Sequence, residues 1–351
     1  MKILILGGTG AMGTHLVELL AHDNNDLFVT TRSNKKSVEK VHYIQGNAHD
    51  LNFLKSNLQA HWDAIVDFMV YNTEEFKERA NFLLEATSQY IFLSSSRVYA
   101  NSKIPLKEDS PRLLDAINDE DYLKTDEYAL SKARQENVLY DSGCKNWTII
   151  RPYITYSEKR LQLGVLEKEA WLYRALHGRT IVFSKDINEK ITTLTYGLDV
   201  SNGISSIIGN STAFGEVFHI TKQTSIEWKS VLNLYLQVLE THLGFRPKVI
   251  FSDLNTFMKF HTEEYQVKYD RLFNRKFDVS KISQFVDVNE FINTETGLKN
   301  CLESFINNPY FKNINWVSEA KKDKIAKERT SLNEIQNFKQ KIKYILYRYF
   351  I

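Results

Sequence analysis

The chain opens with an unbroken apolar run, Lys2-Ile3-Leu4-Ile5-Leu6, that stops at two glycines. A short apolar run bounded by turn residues reads as a strand buried on both faces. Comparable runs follow at residues 27–31, 41–45, 64–68, 90–94 and 147–151. Between them, residues 14–21, 74–86 and 126–140 repeat apolar positions three and four apart, the period of a helix with one buried face. Strand and helix alternating in this order predict an α/β fold, a Rossmann-like doubly wound parallel sheet with helices on both faces.

The rhythm changes after Arg151. Residues 160–177 read as a helix, 180–183 as a strand and 196–208 as a helix again. From residue 227 the chain is rich in lysine and aromatic residues, with helices expected through 241 and near 289–306. This places a smaller lobe at residues 156–189 and 216–316, with residues 190–215 returning to the first domain, 1–155. From Ser318 onward basic residues exceed acidic ones, and Leu332, Ile335, Phe338, Ile342, Ile345 and Tyr349 recur at helical spacing beside Lys339, Lys341, Lys343 and Arg348. Residues 317–351 therefore read as a basic amphipathic helical tail. Such a tail suits a subunit or domain contact first, a solvated, partly ordered end second, and an anionic membrane surface third.

Composition narrows the picture. The 351 residues carry 45 Lys and Arg against 43 Asp and Glu, a formal +2, so no global field favours nucleic acid or an anionic surface. The two cysteines, Cys144 and Cys301, lie far apart, which fits a reducing cytoplasm better than a disulfide framework. No apolar run approaches the roughly 20 residues of a spanning helix. The nine histidines are scattered without ligand spacing, so no metal is expected.

The first strand runs into Gly7-Gly8-Thr9-Gly10-Ala11-Met12-Gly13, directly before a helical pattern. Glycines there let backbone approach a pyrophosphate, and the helix start offers free N–H groups and a positive dipole end. An ordinary glycine turn is the alternative. The second strand ends Thr30-Thr31-Arg32-Ser33 rather than in the acid that grips the ribose hydroxyls of NAD. Arg32, with Lys35 and Lys36 behind it, suits the 2′-phosphate of NADP, leaving NAD as the second choice and a solvated basic loop as the alternative.

Tyr128 and Lys132 stand four apart in a helical stretch and so share a face. A phenol with an ordinary pKa near ~10 ionises more readily beside an ammonium, which equips it to exchange a proton with a carbinol. Alone, the pair reads equally well as a surface Tyr/Lys contact. It follows, however, Phe92-Leu93-Ser94-Ser95-Ser96-Arg97-Val98-Tyr99, a strand ending in hydroxyls at the edge of the sheet where ligands bind. The three hydroxyls lack the glycine-flanked elbow of a serine hydrolase.

The glycine turn, the Ser-Ser-x-x-Val-Tyr run, Tyr-x-x-x-Lys and Ile150-Arg151-Pro152 occur in the order of extended short-chain dehydrogenases. Over roughly residues 1–215 the chain resembles their NAD(P)-dependent epimerase/dehydratase group. The resemblance implies Ser95, Tyr128 and Lys132 as catalytic residues, with Lys132 also holding the nicotinamide ribose. It implies a cofactor site of Gly7, Thr9, Gly10, Ala11, Met12, Gly13, Thr31, Arg32, Asn47, Ala48, Phe68, Met69, Pro152 and Tyr153. Asn47 replaces a usual aspartate, and Phe68 and Met69 replace smaller residues.

Ser96-Arg97 stands where sugar-nucleotide dehydratases of the group carry Asp-Glu, which disfavours dehydration. Ile154 and Ser157 replace the asparagine and last glycine of a substrate-side motif, and Thr192-Thr193-Leu194 replaces an arginine stretch that binds phosphate. Arg160, Arg174, Arg179 and Lys185 are the candidates to supply that charge. The resemblance implies a carbohydrate oxidoreductase or epimerase, its substrate a nucleotide sugar for surface polysaccharide, in a cytoplasmic homodimer with no nucleic-acid partner. A non-catalytic NADP(H) sensor or RNA-associated scaffold of the atypical kind is the competing reading.

Overall fold

A computed structural model describes residues 1–351. The chain divides into two compact units, the first comprising Met1–Thr155, Thr193–Thr224 and Arg275–Ile292, the second Tyr156–Thr192, Ser225–Asn274 and Asn293–Ile351.

In the first unit the elements run β1 (Lys2–Leu6), α1 (Gly13–His22), β2 (Asp26–Thr31), β3 (Val41–Gln45), α2 (Leu51–Asn57), β4 (Ala64–Asp67), α3 (Thr73–Glu85), β5 (Tyr90–Leu93), α4 (Tyr128–Tyr140), β6 (Trp147–Ile150), α5 (Gly197–Ile207) and β7 (Glu216–Phe218). Seven strands form one sheet in the order β7-β6-β5-β4-β1-β2-β3, every pair parallel. Period-two alternation explains the continuous apolar run of β1: Ile3 and Ile5 join a core on one face with Leu16, Leu20 and Ile204, while Leu4 and Leu6 join a core on the other with Phe76, Leu83 and Leu139. The strand order reverses between β4, β1 and β2, the place where a doubly wound sheet opens a crevice beyond its carboxyl ends.

Two segments assigned to the lobe from sequence belong to this unit. Glu216–Phe218 adds a three-residue seventh strand beside β6. Residues 275–292 bury Val279, Ile282, Val288 and Phe291 in the core of Ile3 and Ile5. Neither has the length or period that would mark it in the sequence.

The second unit corrects two further expectations. The single helix expected over 160–177 is a two-strand antiparallel hairpin, Gln162–Leu163 with Leu166–Glu167, followed by a helix, Lys168–Leu176. Gly164 turns the hairpin at φ +61°, and a Cβ there would stand 2.8 Å from the Phe183 ring. The tail, read as one helical segment over 317–351, is two helices, Trp316–Ala326 and Phe338–Tyr349, packed into the unit in the domain contact weighed first. Arg174, fully buried, meets Glu319 and Asp323 at 2.8 Å each and Glu328 at 3.1 Å. The Tyr344 hydroxyl donates to Asp323 at 2.7 Å.

The same device fixes α4 to the sheet. Glu136, fully buried, accepts from Ser94 Oγ at 2.6 Å, from Arg151 Nε and Nη2 at 2.8 and 2.7 Å, and from Arg112 Nη1 at 3.1 Å. Removing one member of such a cluster strands the others in a low-dielectric interior. We expect Glu136→Ala to destabilise the chain by about 3–5 kcal/mol, seen as a lower urea midpoint; an unchanged midpoint contradicts the assignment.

Candidate active site

Gly7 adopts φ +73°, and a Cβ there would approach Met69 Sδ to 2.9 Å. Its N–H donates to Thr30 Oγ1 at 3.1 Å, and the Thr9 N–H turns back to Gly7 O at 2.8 Å. A Cβ on Gly13 would sit 2.7 Å from the Gly8 backbone, so the start of α1 rests directly on the turn. Gly197 at the start of α5 packs as closely, its Cβ position 2.7 Å from Ala11 O, and Ser201 Oγ donates to Met12 O at 2.8 Å. The outer side is open: a Cβ on Gly10 would meet nothing within 4 Å. Met12 supplies no side-chain cap and the first turn of α1 holds no acid, so its positive end is not neutralised by the protein. A tight, backbone-lined turn with an uncapped helix start fits the phosphates of a dinucleotide.

At the end of β2, Thr31 Oγ1 lies 3.1 Å from Ser33 Oγ and Arg32 is exposed. Lys35 lays its ammonium 5.2 Å from the centroid of the Tyr43 ring. Asn47 Oδ1 accepts the His49 N–H at 3.2 Å, shaping its own turn, and Ala48 is buried among Leu4 and Leu6. Phe68 and Met69, whose size the sequence left unexplained, have a packing role: each lies against one of the two cores, and Met69 covers Gly7.

The three serines after β5 divide by partner. Ser94 is tied to Glu136, and Ser96 Oγ donates to Arg151 O at 2.7 Å. Ser95 Oγ accepts the Arg97 N–H at 3.2 Å, a capping role that leaves its own hydrogen available. Tyr128 opens α4 and is half-buried. The Arg97 guanidinium lies 5.2 Å from the centroid of its ring and pairs with Glu127. Glu127 caps α4 through the Ala129 N–H at 2.8 Å and accepts from the Tyr122 hydroxyl at 3.0 Å. Arg97 thus ties the Ser95 turn to the helix start that carries Tyr128. In the sequence, Arg97 is marked only as a departure from the dehydratase pattern.

Lys132, one turn further, is buried; its Nζ donates to Leu93 O at 2.7 Å and lies 4.5 Å from the Phe92 ring centroid. That bond occupies one of three ammonium hydrogens. Burial pulls its pKa down to about 8, opposed by Asp67 and Glu136. Asp67, at the end of β4, is wholly buried and accepts from the Met69 N–H at 2.9 Å and the Tyr90 hydroxyl at 2.8 Å. Burial raises its pKa, and those two bonds together with Lys132 oppose the rise. Asp67 went unnoticed in the sequence because an acid ending a strand has no local signature.

Pro152 accepts the Ser96 N–H at 2.9 Å through its carbonyl, and Tyr153 is buried against Phe277, ring centroids 5.3 Å apart. Arg275, fully buried, donates to Tyr99 O and Ala100 O at 3.0 Å each. In the second unit, Arg160 pairs with Glu167 at 3.3 Å and Arg179 with Glu334 at 3.0 Å, while Arg174 is enclosed as described. The structure therefore corrects the sequence reading for Arg174 and Arg179: both are buried internal braces, not free charges for a phosphate.

A family model described as NAD(P)H-binding matches residues 7–181. A chloroplast stem-loop binding protein of 41 kDa from Arabidopsis thaliana is 27% identical over 240 residues, covering 63% of this chain and 58% of the relative. A UDP-glucose 4-epimerase from Lacticaseibacillus casei is 27% identical over 163 residues, 40% of this chain and 46% of that one. The chain thus spans about half the length of these curated relatives. The crystal structure of UDP-glucuronic acid 4-epimerase from Bacillus cereus in complex with UDP-glucuronic acid and NAD superposes with a TM-score of 0.64 at 17% identity, covering 88% of this chain and 99% of that one. The fold is that of the NAD-dependent sugar epimerases and dehydratases.

The lysine makes a pH prediction. With its folded pKa about 8 against an ordinary 10.5, Lys132 binds fewer protons folded than unfolded between those values. Its contribution to stability therefore rises with pH across that window. Carbon-13 NMR at lysine Cε should show one resonance titrating near 8, absent in Lys132→Met. All lysines titrating at their ordinary value would contradict this.

Proposed function

We propose that this chain, with its NAD(P)H-binding match and the fold of the sugar epimerases, is an NADP-preferring oxidoreductase or epimerase of the extended short-chain dehydrogenase/reductase type acting on a nucleotide sugar. The observation that carries this reading is the tie between the Ser95 turn and the start of α4, through Arg97, Glu127 and the Tyr128 ring.

A nicotinamide cofactor, held at its ribose by Lys132 and at its ring by Pro152 and Tyr153, would supply hydride transfer between a sugar carbinol and the corresponding ketone. Tyr128 takes the carbinol proton and gives it back. Ser95 donates its free hydrogen to the substrate oxygen. Two cations favour the phenolate: Arg97 beside the ring and the Lys132 ammonium one turn below. The open face of the turn at Gly10 and the uncapped start of α1 hold the phosphates, and exposed Arg32 holds the 2′-phosphate.

Dehydration is disfavoured, because elimination of water needs an added acid and base. Ser96 donates to a backbone carbonyl and Arg97 is paired with Glu127, so neither supplies a carboxyl. A surface polysaccharide is the destination we assign to the product.

The second reading is a non-catalytic NADP(H)-binding scaffold for RNA. The similarity to a stem-loop binding protein favours it, since that match covers more of the chain than the epimerase match.

Incubation with NADPH and UDP-linked 4-ketosugars, followed by nicotinamide absorbance, separates the two. We expect turnover, with Tyr128→Phe lowering kcat by about 100-fold or more. Arg97→Met should move the acidic limb of the pH–rate profile to higher pH. Tight NADPH binding with no turnover of any sugar, together with retention of a stem-loop RNA, supports the scaffold. Cofactor choice is tested separately: Arg32→Ala should weaken NADPH binding by about 10–100-fold and leave NADH unchanged.

A further inference from the structure

The last helix, Phe338–Tyr349, presents an apolar stripe that nothing in its own unit covers. Phe338, Ile342, Leu346 and Tyr349 are 73%, 51%, 42% and 51% exposed, and Phe350 follows at 77%. At 100° per residue these positions fall within about one-third of the helix circumference. Lys339 and Lys343 border the stripe on one side, Lys341 and Arg348 on the other, and residues 338–351 contain no Asp or Glu.

The opposite side of the helix is fixed. Tyr344 is buried and bonded to Asp323 and the Thr330 N–H, in a core with Ile335, Trp316 and Ala320. The acids of the neighbouring segments are turned inward. Glu319 and Asp323 meet Arg174, and Glu319 also meets Lys322; Glu328 meets Arg174, and Glu334 meets Arg179. The outer face therefore combines a preformed apolar ridge with uncompensated positive charge.

We propose that this face docks in the plane of an anionic lipid bilayer, its aliphatic and aromatic side chains entering the headgroup boundary while the flanking cations meet lipid phosphates. No helix of the chain is long and apolar enough to cross a membrane, so the contact is peripheral. Charge selects this occupant. A second copy of the same face would set cation against cation with no acid to answer it, and a nucleic-acid backbone would leave the central stripe of Phe338, Ile342 and Leu346 without a partner.

The test uses the full chain and co-sedimentation with phosphatidylcholine vesicles, with or without about one-third phosphatidylglycerol. Binding to the anionic vesicles should exceed binding to the neutral ones by at least ~10-fold and fall as salt rises. The double variant Ile342→Glu/Leu346→Glu should lose at least ~10-fold of that binding. Because both side chains are already exposed, its circular dichroism and melting should match the parent. Lys339→Glu/Lys343→Glu should lose the preference for anionic vesicles by a different route, without touching the stripe.

Absence of binding to anionic vesicles, or equal binding by parent and Ile342→Glu/Leu346→Glu, overturns the proposal. A mass in light scattering that halves in that variant, with no vesicle binding by the parent, reassigns the face to a second copy. Stem-loop RNA retained by the Ile342→Glu/Leu346→Glu protein and lost with Lys339→Glu/Lys343→Glu, again with no vesicle binding, reassigns it to nucleic acid.

Discussion

A single carboxylate organises the candidate site. Glu136 lies on the same stripe of α4 as Tyr128 and Lys132, each one turn from the next, and its oxygens gather Ser94 from the end of β5 and Arg151 from the end of β6. With Ser94 anchored to Glu136 and Ser96 to the Arg151 carbonyl, extended backbone leaves Ser95 between two locked neighbours. Burial falls along the stripe: Glu136 is sealed, Lys132 nearly so, and Tyr128 half-exposed. The group proposed to meet a substrate is the one nearest the helix start.

Charge beneath the sheet edge is arranged with equal economy. Lys132 would be an isolated cation in an apolar layer of Phe92 and Leu93 were it not for Asp67 and Glu136, and Asp67 would be an isolated anion were it not for the Met69 N–H, the Tyr90 hydroxyl and Lys132. Burial pushes each toward neutrality and the partner pushes back. The resulting lysine is more easily deprotonated than a surface one, which makes the charge beside Tyr128 responsive to mildly alkaline pH.

What the sequence disclosed follows the range of each constraint. β1 and the Gly7–Gly13 turn are legible because continuous apolar character and close backbone approach leave local marks: glycine combines φ +73° at Gly7 with room for Met69, and a Cβ at Gly13 would meet the Gly8 backbone. Tyr128 and Lys132 were legible from helical spacing. Arg97 with Glu127, Asp67 with Lys132, and Arg275 beneath Tyr99 were not, since each joins residues that burial brings together without any period connecting them. The tail shows the same limit in reverse. Its spacing grouped Ile335 with Phe338 and Ile342, but the chain turns between them, so Ile335 is buried while the other two face outward.

Pairing also bears on the substrate. Of the four cations proposed to replace the missing phosphate-binding arginine, Arg174 sits in a cage of three acids, Arg179 pairs with Glu334 and Thr330, and Arg160 pairs with Glu167. A buried guanidinium such as Arg174 or Arg179 cannot turn to a diphosphate without leaving its carboxylates unpaired in the interior, whereas the Arg160 and Glu167 side chains are both solvent-exposed and their pair is readily exchanged. Lys185 is also exposed, near Asp253, whose carboxyl the Thr256 N–H and hydroxyl hold below its usual range, with Lys185 adding the smallest contribution. In the proposed reading, Arg160 and Lys185 are the members of the set left accessible to a substrate phosphate.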